Sequence, residues 1–523
     1  FVYYYINLPA LNIHSAGFWC FVILMVFVFA IVLSFRSVWK SGHVSFGKKG
    51  LDIQKGTMGP YRYLFYLGGV LLLIFLIGSV LSSPIINAKK YQKLMQVEER
   101  DFTADIKEVD FNTIPLLDRD SAAILGSRKM GSMVDMVSQF EVADDYTQIN
   151  VSGKPVRVTP LMYASPIKWL TNQKNGIPAY IQIDMTTQDT ECVKLTEGIK
   201  YSESEMFNRY IWRHIRFRYP TYIFADQIFF EIDDEGTPYW ICPVKKFNIG
   251  LFGGVTVGRV VLCNAITGEC TDYQADEVPT WVDKVYQAEL LMQLYDYHGM
   301  LQHGYLNSVL GQRDCLQTTN GYNYIAMNDD VWVYSGVTSV SGDQSNVGFV
   351  LMNQRTMETR FYRIEGAIED SSAEGQVQNL GYVASFPLLL NISDEPTYFM
   401  ALKDSAGLVK KYAMVNIQKY QWVAIGDTVK ECKKAYNALL STNGIRTSEN
   451  ADDLEITGKI ATYVPVVIDG NSHVYFTLEG DKTVYDADLT NSEIVGIIAY
   501  KEGDSISMFY QDGDTTSNVT KIK

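Results

Sequence analysis

The stretch RVVLCNAITGECTDYQ, residues 259–274, reads as two strands and the turn that joins them. Arg259 to Cys263 is an apolar, β-branched run, Asn264 enters the turn, Thr267-Gly268-Glu269 leaves it, and a second strand follows. This is hairpin chemistry, because an Asx side chain bonds nearby backbone and glycine supplies a positive φ. The layout recurs in YIQIDMTTQDTECVKL from Tyr180, GFVLMNQRTMETRFYR from Gly348 and KYAMVNIQKYQWVAIG from Lys411. Aligned, these segments place Asp184, Asn264, Asn353 and Asn416 at one turn position, with Thr267 and Thr356 matching three residues on and Glu269 and Glu358 two after that. The aligned positions lie 80, 89 and 63 residues apart, which indicates related units and excludes a solenoid of short period.

A second match precedes some of these hairpins. FEIDDEGTPYWICPV from Phe230 and LNISDEPTYFMAL from Leu390 are each a strand, an acidic tip and a strand opening with Pro-Tyr or Thr-Tyr, and Ile177-Pro178-Ala179-Tyr180 is a weaker echo. Helical patterns separate the strand groups: Ser202–Tyr219 ahead of Pro220, Val282–Leu310 with a break at Gly299, and Asp427–Leu440 with Gly444 as its stop. Helices alternating with antiparallel hairpins make the fold class α+β. From Leu454 to Tyr510 the chain changes to about five strands with turns at Asp469-Gly470-Asn471 and Glu502-Gly503-Asp504, which predicts a small OB-like β-barrel over 452–512 and a tail over 513–523.

The amino-terminal part is of another kind. Gly17–Phe35 and Tyr63–Pro84 carry no charge, and a bilayer-crossing helix needs about 20 apolar residues. Residues 1–86 therefore read as a transmembrane hairpin. Its loop, 36–62, carries Arg36, Lys40, Lys48, Lys49, Lys55 and Arg62 against the single acid Asp52, which predicts a cytoplasmic loop with both termini and the large carboxy-terminal region outside. Tyr3, Tyr4 and Tyr5 fit an interfacial aromatic belt. Residues 87–155 read as a stalk, followed by α+β regions over 156–320 and 321–444. Residues 101–523 hold 35 basic and 56 acidic side chains, a field that disfavours a nucleic-acid partner.

Chemistry-bearing patterns are sparse. The six histidines include no HExxH, and His298 and His303, five apart, do not share a helix face. No GxSxG elbow or Walker loop is present; Leu251–Gly254 (LFGG) sits among strands and reads as a tight turn. The seven cysteines form no CxxC pair, so neither a metal nor a cofactor is signalled. Cys263 and Cys270 bracket the hairpin turn and are placed to face each other as a candidate disulfide. Arg209, Arg213 and Arg216 fall on one helix face and are candidates for gripping an acidic partner. Asp233-Asp234-Glu235 and Asp329-Asp330 are acidic tips without EF-hand spacing.

The strand–Asx–x–x–Thr–Gly–Glu–strand pattern, clearest in VVLCNAITGECTDY, resembles the PepSY domain, a small extracytoplasmic α+β module. Through SSPIINAKKYQKL, NIGLFGG, VPTWVDKVY and SSAEGQVQNLGY the chain also resembles an uncharacterised family of membrane-anchored surface proteins of anaerobic Gram-positive bacteria. The resemblance implies a place in the cell envelope and no catalytic residues. The expected function is a non-catalytic, membrane-anchored binding or scaffold protein, partnered by membrane lipid and by further copies of itself or another envelope protein. Regulation or chaperoning of a surface peptidase or other membrane protein is one alternative, and an envelope hydrolase is the other.

Overall fold

The computed structural model describes residues 2–40, 44–47, 50–53, 61–106, 119–327, 329–339, 345–368, 370–378, 381–385, 387–405, 407–443, 445, 447, 454–468, 471–489, 494–511 and 516–523. The expected stop at Gly444, the turn at Asp469-Gly470 and much of the 36–62 loop lie outside them. The chain opens with α1 (Val2–Asn7) and α2 (Ala16–Lys40), a short hairpin of β1 (Val44–Gly47) and β2 (Gly50–Ile53), then α3 (Arg62–Leu81) and α4 (Pro84–Gln92). Ala16–Arg36 and Arg62–Leu81 are long and apolar enough to cross a membrane by length and composition. The two helices touch at Gly68, where a Cβ would lie 2.8 Å from the Phe27 ring.

The segment expected as a stalk is folded structure. Tyr91 and Met95 are buried, β3 (Glu98–Arg100) joins a sheet edge, and α5 (Phe102–Asp105) buries Phe102. Next come α6 (Arg119–Gly131), β4 (Phe140–Val142) and β5 (Thr147–Val151), which begin the first of four sheets. The expected boundary at 155/156 falls inside β6 (Lys154–Tyr163), and the one at 320/321 falls between two strands of one sheet.

Each of the four units is a helix followed by an antiparallel meander of four strand positions in one sheet. Unit I continues from β6 through α7 (Pro166–Asn172) to β7 (Ile177–Asp184) and β8 (Thr190–Ile199). Unit II is α8 (Ile211–Arg218), β9 (Phe229–Ile232), β10 (Pro238–Ile249), β11 (Gly253–Asn264) and β12 (Cys270–Gln274). Unit III is α9 (Ala288–Met300), β13 (Leu316–Thr318), β14 (Asn323–Met327), β15 (Asp330–Ser339), β16 (Ser345–Asn353) and β17 (Thr359–Ile368), with β3 parallel to β17 at its outer edge. Unit IV is α10 (Asp370–Gln378), β18 (Val383–Ala384), β19 (Leu388–Ile392), β20 (Glu395–Lys403), β21 (Val409–Asn416) and β22 (Val423–Gly426), and α11 (Val429–Thr442) follows behind a capping box of Thr428 and Glu431.

The aligned Asx positions do the same work in all four units. Asp184, Asn264, Asn353 and Asn416 end the third strand, and each Oδ1 accepts from the backbone N–H groups two and three residues on, at 2.8–3.0 Å. The residue after each donates to the carbonyl that opens the second strand: Met185 to Pro155, Ala265 to Pro238, Gln354 to Val331 and Ile417 to Pro396. The unit I counterpart of the Pro-Tyr and Thr-Tyr openings is therefore Lys154-Pro155-Val156; Ile177–Tyr180 belongs to the third strand.

The apolar runs have a physical reason: successive residues feed two different cores. In β10 and β11, Trp240, Cys242, Val261 and Cys263 point into a core shared by units I and II, while Ile241, Val260 and Leu262 point into one shared by units II and III. In β15 and β16, Val333 and Val350 face unit II, whereas Tyr334, Phe349 and Leu351 face unit IV. A sheet covered on both faces needs no polar alternation. The ring closes where the Tyr412 side chain of unit IV comes close to the Gln188 side chain of unit I, and where α6 meets the β20–β21 turn, a Cβ on Gly407 lying 3.0 Å from Ile124 Cδ1. Four such sheets around one cavity follow the propeller principle.

The carboxy-terminal part is a closed five-stranded barrel in the order β23 (Leu454–Ile468), β24 (Asn471–Leu478), β25 (Tyr485–Asp488), β27 (Ser517–Ile522) and β26 (Ser505–Gln511). The expected tail supplies β27, which pairs in parallel with β25 and antiparallel with β26. The apolar stretch Val495–Ala499 forms a 3-10 turn rather than a strand.

Because the Asn264 side chain holds two backbone donors, Asn264→Ala is expected to destabilise the chain by about 1–2 kcal/mol, with Asn264→Asp costing less. Denaturant unfolding of the two variants against the parent checks this; equal stability for all three would remove the turn from the account.

Candidate functional site: a cavity at the strand breaks

In every unit the first strand pairs with the second in two pieces. The pieces are β4 and β5 in unit I, β13 and β14 in unit III, and β18 and β19 in unit IV; in unit II β9 is preceded by a lone bridge of Phe224 with Val244. At each break a backbone N–H returns to the second strand: Ala143 to Pro160, Ala225 to Pro243, Thr319 to Gly336 and Ser385 to Ala401. In a strand the N–H and C=O of one residue point to the same side. Pro160 and Pro243 thus lack a donor on the side where the first strand stops pairing. A proline in a central strand is tolerated only where no ladder bond is asked of it.

The four breaks open onto one cavity of about 660 Å³, within the range of small-molecule sites. Its lining includes Asp144 and Tyr146 from unit I, Phe229 from unit II, Tyr324 from unit III and Ser385 from unit IV. Among the described residues no histidine or cysteine lines it. Several polar walls are already engaged: Arg119 pairs with Asp145 at 2.6 Å, Tyr322 donates to Glu289 at 2.6 Å, and Glu203 accepts from Trp212 Nε1 at 2.7 Å.

Lys284 differs from them. It lines the cavity, is 4% exposed, and holds its Nζ 3.9 Å from the Tyr324 ring centroid and 5.8 Å from that of Phe229. Among the described residues no group accepts a hydrogen bond from its Nζ. Ring faces attract an ammonium, but they leave its three donors unmet. Nearby lie two buried carboxylates. Glu231 accepts from the backbone N–H of Asp283 (3.0 Å) and of Lys284 (2.9 Å), and Asp283 accepts from the Asn150 N–H at 2.6 Å. Burial, opposed by those two N–H groups and the Lys284 charge, pushes Glu231 up to about 7. Burial and then the Glu231 charge hold Asp283 well above the ordinary carboxylate range. The pair therefore keeps a proton near neutrality. Beside it, Arg355 grips Asp330 through two bonds of 2.6 and 2.9 Å, so that acidic tip is a structural ion pair.

No family model matches the chain, and no curated protein does. Among solved structures, the crystal structure of an exo-1,5-α-L-arabinanase from a bovine ruminal metagenomic library is similar at 9% identity over 73% of this chain and 97% of that one. Its TM-score of 0.18 carries no argument about fold or activity.

The residues singled out from the sequence lie elsewhere. Arg209 donates to the Gln173 carbonyl, Arg213 to those of Tyr5 and Phe207, and Arg216 to those of Leu8, Tyr219 and Tyr222. The acceptors of Arg213 and Arg216 thus include the chain's own first residues, and the Arg213 guanidinium also lies 4.1 Å over the Tyr5 ring. Cys263 and Cys270 are directly opposed across β11 and β12, both as free thiols. His303 pairs with Asp314 at 3.1 Å, and His298 faces the Gln92 carbonyl. The cavity itself was not foreseen, although Pro155 with Pro160 and Pro238 with Pro243 repeat a five-residue spacing that marks the broken strands.

Glu231 sets a pH dependence. A carboxylate whose folded pKa is raised binds a proton more tightly folded than unfolded, so its contribution to stability is complete at low pH. It is lost as pH climbs from the ordinary value of 4.5 through about 7. Glu231→Gln is expected to flatten that decline in an unfolding series from pH 5 to pH 8; an unchanged slope would contradict the assignment.

Proposed function

We propose that this chain is a membrane-anchored, non-catalytic binding protein of the cell envelope, with both termini and everything after α3 outside, whose cavity holds a small polar ligand bearing an anionic group. The observation that carries the reading is Lys284, a residue 4% exposed whose Nζ has no hydrogen-bond acceptor among the described residues and which lines a cavity to which all four units contribute. An anion would meet the unspent donors in a low-dielectric site, where a charged hydrogen bond contributes most.

Membrane anchoring is supported by how the ring meets α2 and α3. The tip of the β10–β11 hairpin, Leu251-Phe252, reaches the outer ends of both helices. Its backbone N–H groups donate to Ser82 Oγ at 2.9 and 3.2 Å, and the Phe252 ring packs against Phe75 (5.1 Å) and Trp19 (6.4 Å). Close to this contact Ile85 and Ile86 are exposed, and so are Leu306 and Leu310 beyond the end of α9. Such side chains suit a lipid interface. The ring would thus sit on the bilayer and not on a stalk.

The PepSY-like reading of the units rests on their helix-then-hairpins order, and the OB-like reading of the barrel on its strand order with β25 parallel to β27. Association with further copies or another envelope protein is favoured by the unpaired outer edges of β8, β12 and β22.

Lys284→Met keeps the volume and removes the charge. Native mass spectrometry of the detergent-solubilised full chain is expected to find a co-purifying small anion on the parent and none on Lys284→Met, with unfolding free energies within about 1 kcal/mol of each other once the anion is removed. A parent without added mass, or a variant that keeps it, would contradict the reading.

A further inference from the structure

The β11–β12 hairpin and α8 bring together three side chains that neither the cavity nor the membrane contact uses. Cys263 on β11 and Cys270 on β12 are register partners. The adjoining pair is bonded through Asn264 N–H to the Glu269 carbonyl, which makes Cys263 and Cys270 a non-hydrogen-bonded pair, the kind whose side chains lie closest. His214 on α8 leans over them. One nitrogen of its ring and the two Sγ atoms all lie within 4.8 Å of one another. Cys263 is fully buried, while Cys270 and His214 are half-buried and reach the surface.

We propose that His214, Cys263 and Cys270 form a binding site for a thiophilic divalent cation, Zn2+ being the natural occupant. Two sulfurs and an imidazole are a recognised zinc donor set, with a fourth position left for water or another ligand. Ligand atoms on a tetrahedral zinc stand about 3.5–3.8 Å apart, so the trio needs an inward adjustment of roughly 1 Å or less. Two thiolates neutralise a dication, which suits a site whose inner wall is buried.

Two surrounding features fit this use. His214 Nε2 lies 2.8 Å from the Gly268 carbonyl, so it carries the proton and Nδ1 keeps its lone pair. A ring N–H given to a backbone carbonyl is the usual second support of a metal-bound histidine. The ring is also held against Tyr201, with centroids 4.4 Å apart.

The competing use of the pair is a Cys263–Cys270 disulfide, and the test separates the two. The full chain in detergent, stripped of metal and kept under a non-thiol reductant, is titrated with Co2+ and then Zn2+. One equivalent of Co2+ is expected to raise thiolate-to-cobalt charge-transfer absorption, which Zn2+ bleaches. His214→Gln and Cys270→Ser are expected to lose the band while keeping, without metal, the parent's cooperative unfolding transition. Cys315→Ser, whose thiol contacts Asn307 and the Met300 carbonyl, is expected to keep it. Absence of a thiolate–cobalt band in the reduced parent, or a band that survives Cys270→Ser, overturns the proposal.

Discussion

Everything in the ring depends on where the inner strand of each sheet ceases to pair. A buried backbone N–H or C=O without a partner costs about as much as a lost hydrogen bond, so a strand can be interrupted only where its neighbour asks nothing of it. Pro160 and Pro243 meet that condition by having no N–H at all, and Gly336 and Ala401 occupy the matching positions in the other two units. Each break turns a few residues out of the ladder, and four breaks facing one another leave a cavity where a continuous sheet would have left a packed seam. The Asx turns act at the far end of the same sheets. By tying the third strand to the opening of the second, they hold the register from which the break is measured.

Charge is then distributed by burial. Glu231 and Asp283 remain inside because backbone N–H groups and one retained proton offset their desolvation, while Lys284 rests on aromatic faces. At the edge of the ring, arginines first noticed as a cationic stripe fix the segment that precedes α2, and Ser82 fixes the hairpin tip to the end of α3. The apolar helices and the ring are thereby joined through many short polar bonds, as a segment expected to act only as a tether would not be.

What could be read from the sequence follows what local chemistry dictates. Asx turns, apolar helices and the α+β class are decided by neighbouring residues, and so the four turns were legible, as was the barrel apart from the strand at Ser517–Ile522. The strand groups of unit I before Lys154 were not, because Tyr146, Ile149 and Phe140 are spaced among acids that face out, and only the later sheets show what covers them. The cavity and the His214–Cys263–Cys270 trio were hidden for a different reason. Their members come from separate units, or from a helix and a hairpin distant in the chain, and no spacing rule reports a meeting made by packing.

The central claim is that units I and IV are neighbours, closing the four sheets around the cavity. It is tested most directly by placing cysteines at Gln188 and Tyr412, treating the detergent-solubilised chain with a short bifunctional maleimide, and identifying the joined peptides by mass spectrometry. The account predicts a Gln188–Tyr412 link in the native chain that disappears when the chain is unfolded before treatment. Full modification of both positions without a link between them would mean that the ring is open, and the account would fail.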